Sequence, residues 1–207
     1  MNIPSPSSPV VIRNAQPSDE AAILDICLRT SDSGRDGSRH YTDARLPGFV
    51  WALPYVRFCP ENAFVLTQRG VVMGYCVAAP DTSVYEDWLE AAWWPFLQEE
   101  LRDFSAETAE DETVLSYIRG TARTSADVTD RYPAHLHINL LPEAQNSGNG
   151  SALLRHQLDA LRKLGVTGVH LGVNEHNEKV VGFYAKFGFV EIDRTPSILM
   201  AMRLVNC

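Results

Sequence analysis

A mixed α/β domain is what this sequence predicts, and three observations predict it. Residues 135–140, His-Leu-His-Ile-Asn-Leu, alternate polar and apolar side chains with the period of a strand. Residues 145–150, Gln-Asn-Ser-Gly-Asn-Gly, form a polar, glycine-rich turn, after which Leu153, Leu154, Leu158, Leu161 and Leu164 stripe a helix that Gly165 can end. A strand at 169–173, a helix at 177–187 closed by Gly188, and strands at 189–192 and 198–204 complete an alternating layout.

The earlier elements follow from the same signals. Residues 10–13 are a short apolar strand, and Ser18 or Asp19 can cap the helix behind it, in which Ala22, Ile23, Ile26 and Cys27 recur at helical spacing. Residues 31–45 are polar and Gly-rich, hence a loop. Residues 49–58 predict a helix interrupted by Pro54. Residues 63–79 read as a hairpin turning at Arg69-Gly70. Next, Trp88, Leu89, Ala92, Trp93 and Phe96 are spaced for one apolar helix face, in a stretch (81–112) whose only basic residue is Arg102. Residues 121–130 read as a polar linker. The expected organisation is one domain over 10–207, with 81–131 a helical acidic insertion packed on it and 1–9, rich in Pro and Ser, a flexible tail.

Composition narrows the function classes. A net charge of −8 opposes non-specific nucleic-acid binding, because phosphates would be repelled. The chain shows neither a signal-peptide pattern nor an apolar run of membrane-spanning length, so no membrane role is expected. Cys27, Cys59, Cys76 and Cys207 are widely spaced with no C-x-x-C pair, which suits a reduced, cytoplasmic setting. The first three sit in apolar contexts and read as core.

The turn at 145–150 has a chemical use. Gly148 and Gly150 remove side chains so that backbone amides can converge on an anion, and the helix from about Ser151 adds orphan N–H groups and the positive end of its dipole. Gln145, Asn146, Ser147, Asn149 and Ser151 add polarity without negative charge, as a pyrophosphate would require. The plain alternative is an ordinary strand-to-helix turn. No Gly-Lys-Ser/Thr is present, so this is not a Walker loop, and the third glycine of a Rossmann fingerprint is missing. Downstream, Asn174, Asn177 and the run Phe183-Tyr184-Ala185-Lys186-Phe187-Gly188-Phe189 follow, with Asn177 and Tyr184 on one helix face.

Together these segments resemble the GNAT acetyltransferase family: a Q-x-x-G-x-G loop, a strand, an Asn, then F-Y-x-K-x-G-F. The resemblance implies the GNAT fold, a central mixed sheet with helices on both faces, a helical insertion before the fourth strand, and a cofactor cleft where two central strands splay apart. It also implies acetyl-CoA as cosubstrate. Pro133-Ala134-His135-Leu136-His137-Ile138, after a Trp-rich insertion, is similar to the acetyltransferase-like C-terminal domain of O-GlcNAcase and its free-standing bacterial relatives. In O-GlcNAcase that domain is regarded as a pseudo-acetyltransferase with a degenerate cofactor loop, whereas this chain keeps Gln145, Gly148, Gly150 and Tyr184.

By that resemblance an amine attacks the thioester directly, with a backbone N–H at Leu140 or Leu141 polarising the carbonyl. Tyr184 is the proton source for the departing sulfur; its alternative is an amphipathic core residue. His135 and His137, on one strand face, are candidate bases, and the Ala-His-Leu-His segment also resembles aralkylamine N-acetyltransferase, although the spacing to the Gly loop is shorter here. Packing histidines are the alternative, and Glu143 is the reserve base. Asn139 shares that face and cannot act as a base. A metal reading of His135 and His137 lacks a third ligand at a recognisable spacing. Arg155 and Lys186 are candidates for the cofactor's remaining phosphate or simply solvated charges, and Trp88, Trp93 and Trp94 are a lid, a subunit contact or core. The expected partner is a small-molecule amine, with a protein N-terminus or lysine a weaker option, and the chain is expected to be a monomer or homodimer. An acetyl-CoA-binding module without turnover is the other reading.

Overall fold

A computed structural model of the chain describes residues 9–120, 123–175, 177–194 and 197–204. Most of the expected tail, Thr121 at the head of the expected linker, and Cys207 lie outside the described residues.

Strand β1 (Val10–Asn14) leads to α1 (Glu20–Leu28), the short helices α2 (Leu46–Trp51) and α3 (Leu53–Phe58), and the hairpin β2 (Ala63–Gln68) and β3 (Val71–Ala79). The insertion follows as α4 (Thr82–Trp88), α5 (Trp94–Glu100), α6 (Ala109–Ile118) and α7 (Ala126–Thr129). Then come β4 (Ala134–Leu140), α8 (Asn149–Lys163), β5 (Gly168–Val173), α9 (Glu178–Ala185), β6 (Val190–Arg194) and β7 (Ile198–Arg203). The strands form one seven-stranded sheet in the order β1-β2-β3-β4-β5-β7-β6. It is mixed, as expected: every neighbouring pair is antiparallel except β4 with β5.

Period-two alternation decides what each face carries. On β3, Tyr75, Val77 and Ala79 join α1, α2, α3 and the insertion in one core. Cys76 and Ala78 point the other way, against Leu153, Leu154, Leu158 and Leu161 of α8. Those four leucines are at most 1% exposed, each worth about 2 kcal/mol of burial.

Three local readings are corrected by the structure. The break within 49–58 falls at Ala52 (φ −139°, ψ −62°), not at Pro54. Pro54 instead occupies the first turn of α3, where its missing N–H would have no helical partner anyway. The expected linker contains a helical turn, α7. Phe96 is 56% exposed rather than buried with the tryptophans. The cause is a π-helical turn at Leu89–Trp93, where the Trp94 amide reaches back to the Leu89 carbonyl. Pro95 cannot donate to the next carbonyl, so the helix widens there and rotates Trp93, Trp94 and Leu97 inward.

The insertion is tied down by polar contacts as well. Trp93 Nε1 donates to Phe49 O at 2.9 Å. The fully buried carboxylate of Asp111 accepts from Thr42 N (3.0 Å), Thr42 Oγ1 (2.6 Å), Glu107 N (3.1 Å) and Thr108 N (3.3 Å). Burial raises the Asp111 pKa, but these donors outweigh it and hold the group below the usual carboxylate range.

Candidate functional site

The parallel seam between β4 and β5 is short. Only Ala134↔Val169 and His135↔His170 are in register; beyond them the strands part. Leu141 donates its amide to Met73 O on β3 at 2.9 Å. Because amide direction alternates along a strand, the amides of Ile138 and Leu140 face the opposite way, into the opening toward β5. Of the two backbone donors expected from sequence, Leu140 therefore faces the cleft and Leu141 is spent on β3.

At the wide end of the opening, a short turn (Pro142–Ala144) delivers the chain to the glycine-rich loop. Gln145 Nε2 donates back to Leu140 O at 2.8 Å, Asn149 Nδ2 to Ala144 O at 2.9 Å and Ser147 Oγ at 2.7 Å, and Ser147 Oγ to Ala144 O at 3.3 Å. These side chains shape the loop; the outward donors are its amides. Asn146 (φ 60°) and Gly148 (φ 82°) adopt left-handed conformations that turn the chain into α8. The first intrahelical bond is Ala152 N to Gly148 O, leaving the Asn149, Gly150 and Ser151 amides without helical partners at the positive end of the dipole. A Cβ on Gly150 would stand between Phe183 (3.7 Å) and Leu140 (3.8 Å), in the mouth of the cleft itself. A diphosphate fits such a cradle.

The far wall is α9. Asn177 is its N-cap residue and donates its side-chain amide to Ser33 O at 3.4 Å, while Asn174 O accepts from the Asn177 amide at 2.8 Å. Tyr184 is buried between Phe183 and Phe189, with ring centroids 5.3 and 5.6 Å away. Burial, then the nearby Cys76, push its pKa well above that of a free tyrosine, so the phenol stays protonated. Lys186 is exposed at the end of α9, and Arg155 lies over the Phe187 ring at 5.4 Å.

On the opposite side of the seam, His135, His137 and Asn139 face the α1–α3 layer. Asn139 Nδ2 donates to Thr30 Oγ1 at 2.5 Å. Thr82 Oγ1 donates to Pro133 O at 2.7 Å, so it must accept from His135 Nδ1–H at 2.8 Å. His135 Nε2, 2.7 Å from Tyr55 Oη, is then the acceptor. The hydrogen-bond network thus assigns one neutral tautomer and occupies both nitrogens. Burial first, then His170 and His137, hold the His135 pKa well below the usual histidine range. Burial, then His170, lower that of His137 to about 4, although both rings keep partial access along the crevice. His170 donates Nδ1–H to Tyr132 O at 2.8 Å and stacks on His135 at 5.5 Å. Glu143 is exposed and lies 3.6 Å from Arg29.

Sequence reasoning did not single out His170, Tyr55, Tyr85 or Glu86. Tyr55, Tyr85, Glu86 and His135 line a cavity of about 450 Å³ beneath the insertion, with Trp51 and Trp94 among its other walls. The signal available was the abundance of aromatic residues on either side of the hairpin, which alone does not say which rings meet. Among the described residues no group of three His, Cys, Asp or Glu could hold a metal, and no helix is long and apolar enough to cross a membrane.

Several known proteins resemble this chain. SsHAT, a solved structure, superposes with a TM-score of 0.87 at 33% identity, covering 95% of this chain and 98% of its own. The Salmonella typhimurium protein yncA, solved with its cofactor acetyl-CoA, shares the fold with a TM-score of 0.58 at 17% identity, covering 96% of this chain and 95% of that one. Protein O-GlcNAcase of Rattus norvegicus is 23% identical over 192 residues, 91% of this chain and 21% of that protein, so the chain spans about a fifth of the length of that curated relative. The profile of the acetyltransferase (GNAT) family matches residues 35–189. With the splayed seam, the amide cradle and this match in hand, the chain belongs to the acetyltransferase (GNAT) family.

Proposed function

We propose that the chain is an acetyl-CoA-dependent N-acetyltransferase acting on a primary amine of a small molecule. The observation that supports this reading is that two donor sets open on one cleft, the α8 amides at its mouth and the Ile138 and Leu140 amides along its floor; Tyr184, on α9, would be the third.

Acetyl-CoA, when bound, supplies an activated acyl thioester. The amides of Asn149, Gly150 and Ser151 would hold its diphosphate, and Lys186 and Arg155 are the cations that would meet its remaining phosphate. Leu140 N–H would polarise the thioester carbonyl. The acceptor ammonium loses one proton, its nitrogen forms the C–N bond, the C–S bond breaks, and a second proton leaves the nitrogen as the sulfur becomes a thiol. Tyr184 donates a hydrogen bond to the sulfur as negative charge gathers there. Its raised pKa makes it a persistent donor rather than a readily ionised acid.

His135 has both nitrogens engaged, which makes it a positioning residue; His137 is the histidine left to relay the acceptor's proton, through water, to solvent. The same facts favour a second reading, a coenzyme A-binding module without turnover, because a histidine held to about 4 is a weak base. A free-thiol release assay with acetyl-CoA over an amine panel, run beside calorimetry with coenzyme A, separates the two. Release with at least one amine supports the enzyme; binding with no release on any amine supports the module; neither binding nor release removes both.

A further inference from the structure

Strand β5 carries two glycines, and packing explains only one of them. A Cβ on Gly168 would stand 2.6 Å from Arg131 O and 2.9 Å from the Tyr132 ring, so neighbouring chain fills the place of its side chain. On Gly172 the same Cβ would meet no described residue within 4 Å. Glycine weakens the interior of a strand, and it is used there at a bulge, at a close approach of backbone, or where a ligand comes near. The pairing of β5 with β7 runs without a shift from Gly168↔Arg203 to Val173↔Ile198, which leaves no bulge. Gly172 does not have a positive φ either. A ligand is the use that remains.

The position of Gly172 identifies the ligand. The last paired couple of the parallel seam is His135↔His170; two residues further along each strand, where the seam is parting, stand His137 and Gly172. Alternation puts both on the face where His135 and His170 stack, toward the α1–α3 layer. Leu199 of β7 is in register with Gly172, so its half-buried side chain borders the same room. Gly172 is the one exposed residue of β5. The next residue of β4 after His137 is Ile138, whose amide opens on the cleft. The room over Gly172 therefore adjoins the place where an acceptor nitrogen would meet the thioester carbonyl. The groups that β4 and β5 turn to this face, His135, His137, Asn139 and His170, are uncharged at pH 7, so the room sorts acceptors by bulk rather than by charge.

We infer that Gly172 determines acceptor specificity: the room over it takes a substituent on the carbon that bears the reacting nitrogen, so the chain favours primary amines branched at that carbon. The inference rests on the acetyltransferase reading for turnover, but not for binding.

Thiol release from acetyl-CoA by the full chain tests it with two isomer pairs, butylamine against 2-aminobutane and 3-aminopropanamide against alaninamide. Within each pair charge and atom count are equal. The parent is expected to show a kcat/KM at least about threefold higher for the branched member. Gly172→Ala should lower that ratio about threefold and Gly172→Val at least about tenfold, with coenzyme A affinity by calorimetry unchanged. Both variants should melt at or above the parent's temperature, because the new Cβ gains strand propensity without a clash. A parent that favours the unbranched members, a parental ratio in Gly172→Val, or a lower melting temperature in both variants overturns the inference and leaves acetyl transfer standing. If the parent releases no thiol with any of the four, calorimetry of the branched amines on the chain saturated with coenzyme A decides. Binding that Gly172→Val abolishes keeps the amine site and overturns the acetyltransferase reading; binding that the variant retains, or none by the parent, overturns both.

Discussion

Tyr55 Oη lies 2.7 Å from Nε2 of His135 and donates to the tautomer that Thr82 fixes from the other side of the ring. Removing the donor with Tyr55→Phe strands a buried acceptor. A loss of about 1–2 kcal/mol in urea denaturation is expected. Thr82→Val strands the other nitrogen and should cost a similar amount. The double variant should cost more than the sum, because in either single variant the imidazole can adopt the tautomer that serves the partner left, and in the double none is left. Strict additivity would show that the two bonds do not share one ring state.

The histidines also set an acid limit on stability. His137 titrates near 6.5 when unfolded and at about 4 when folded, and His135 and His170 are depressed as well. A depressed base binds fewer protons in the native state, so its contribution is complete above pH 6.5 and is lost as pH falls toward 4. For His137 alone the term is on the order of 3 kcal/mol. Unfolding free energy should therefore fall between pH 7 and pH 5, before most carboxylates titrate, and His137→Gln should flatten that slope. A flat profile across this window would mean that the rings are solvated.

What could be read from sequence divides along contact distance. The strand, glycine turn and helix at 134–163 were legible because their determinants are local: a period of two, a left-handed position at Gly148, and a leucine stripe. The fixed tautomer of His135 was not, because its partners are 80 and 53 residues away in segments that read only as an interrupted helix and the start of an acidic helical stretch. The π turn was illegible for another reason: Pro95 announces a disturbance but not whether the helix breaks, kinks or widens. The loop residues Gln145, Ser147 and Asn149 read as polar, yet polarity alone does not reveal that their side chains close the loop on itself.

Gly148 and Gly150 should fail in different ways. Gly148 has φ 82° with nothing within 4 Å of a built Cβ, so Gly148→Ala meets backbone strain alone, about 1 kcal/mol of stability. Gly150 has no such strain, and a Cβ would touch Phe183 and Leu140 only at ordinary contact distance. Gly150→Val should leave the melting temperature nearly unchanged but place a branched side chain in the cleft mouth. A drop of at least about tenfold in coenzyme A affinity by calorimetry is expected. Unchanged affinity in Gly150→Val would move the diphosphate away from this loop.

Asp111 anchors the insertion to the 40–42 segment through bonds to Thr42, Glu107 and Thr108. Asp111→Ala leaves those donors facing an apolar gap and should cost about 2–4 kcal/mol. Loosening the insertion predicts a second effect: limited proteolysis in the variant should begin within 81–120 before the sheet is attacked. Cleavage elsewhere first would mean that α6 is held chiefly by its apolar residues.

Tyr184→Phe isolates the hydroxyl from the ring. The ring packs against Phe183 and Phe189, and phenylalanine keeps those contacts, so stability should change by less than about 1 kcal/mol. If the hydroxyl supports the departing sulfur, kcat for acetyl transfer should fall by roughly 10²–10³, with coenzyme A affinity unchanged, because that hydrogen bond strengthens only as charge develops. The pH profile gives a second handle. Burial and Cys76 hold the Tyr184 phenol above its ordinary range, so acetyl transfer by the parent chain should show no falling limb near pH 10 from tyrosine ionisation. His137, at about 4, should add no rising limb near 6.5, which leaves the acceptor amine's own deprotonation to govern kcat/KM. A rising limb near 6.5 that disappears in His137→Gln would restore a histidine of ordinary basicity at the site; a Tyr184→Phe variant with parental kcat would return the hydroxyl to the core.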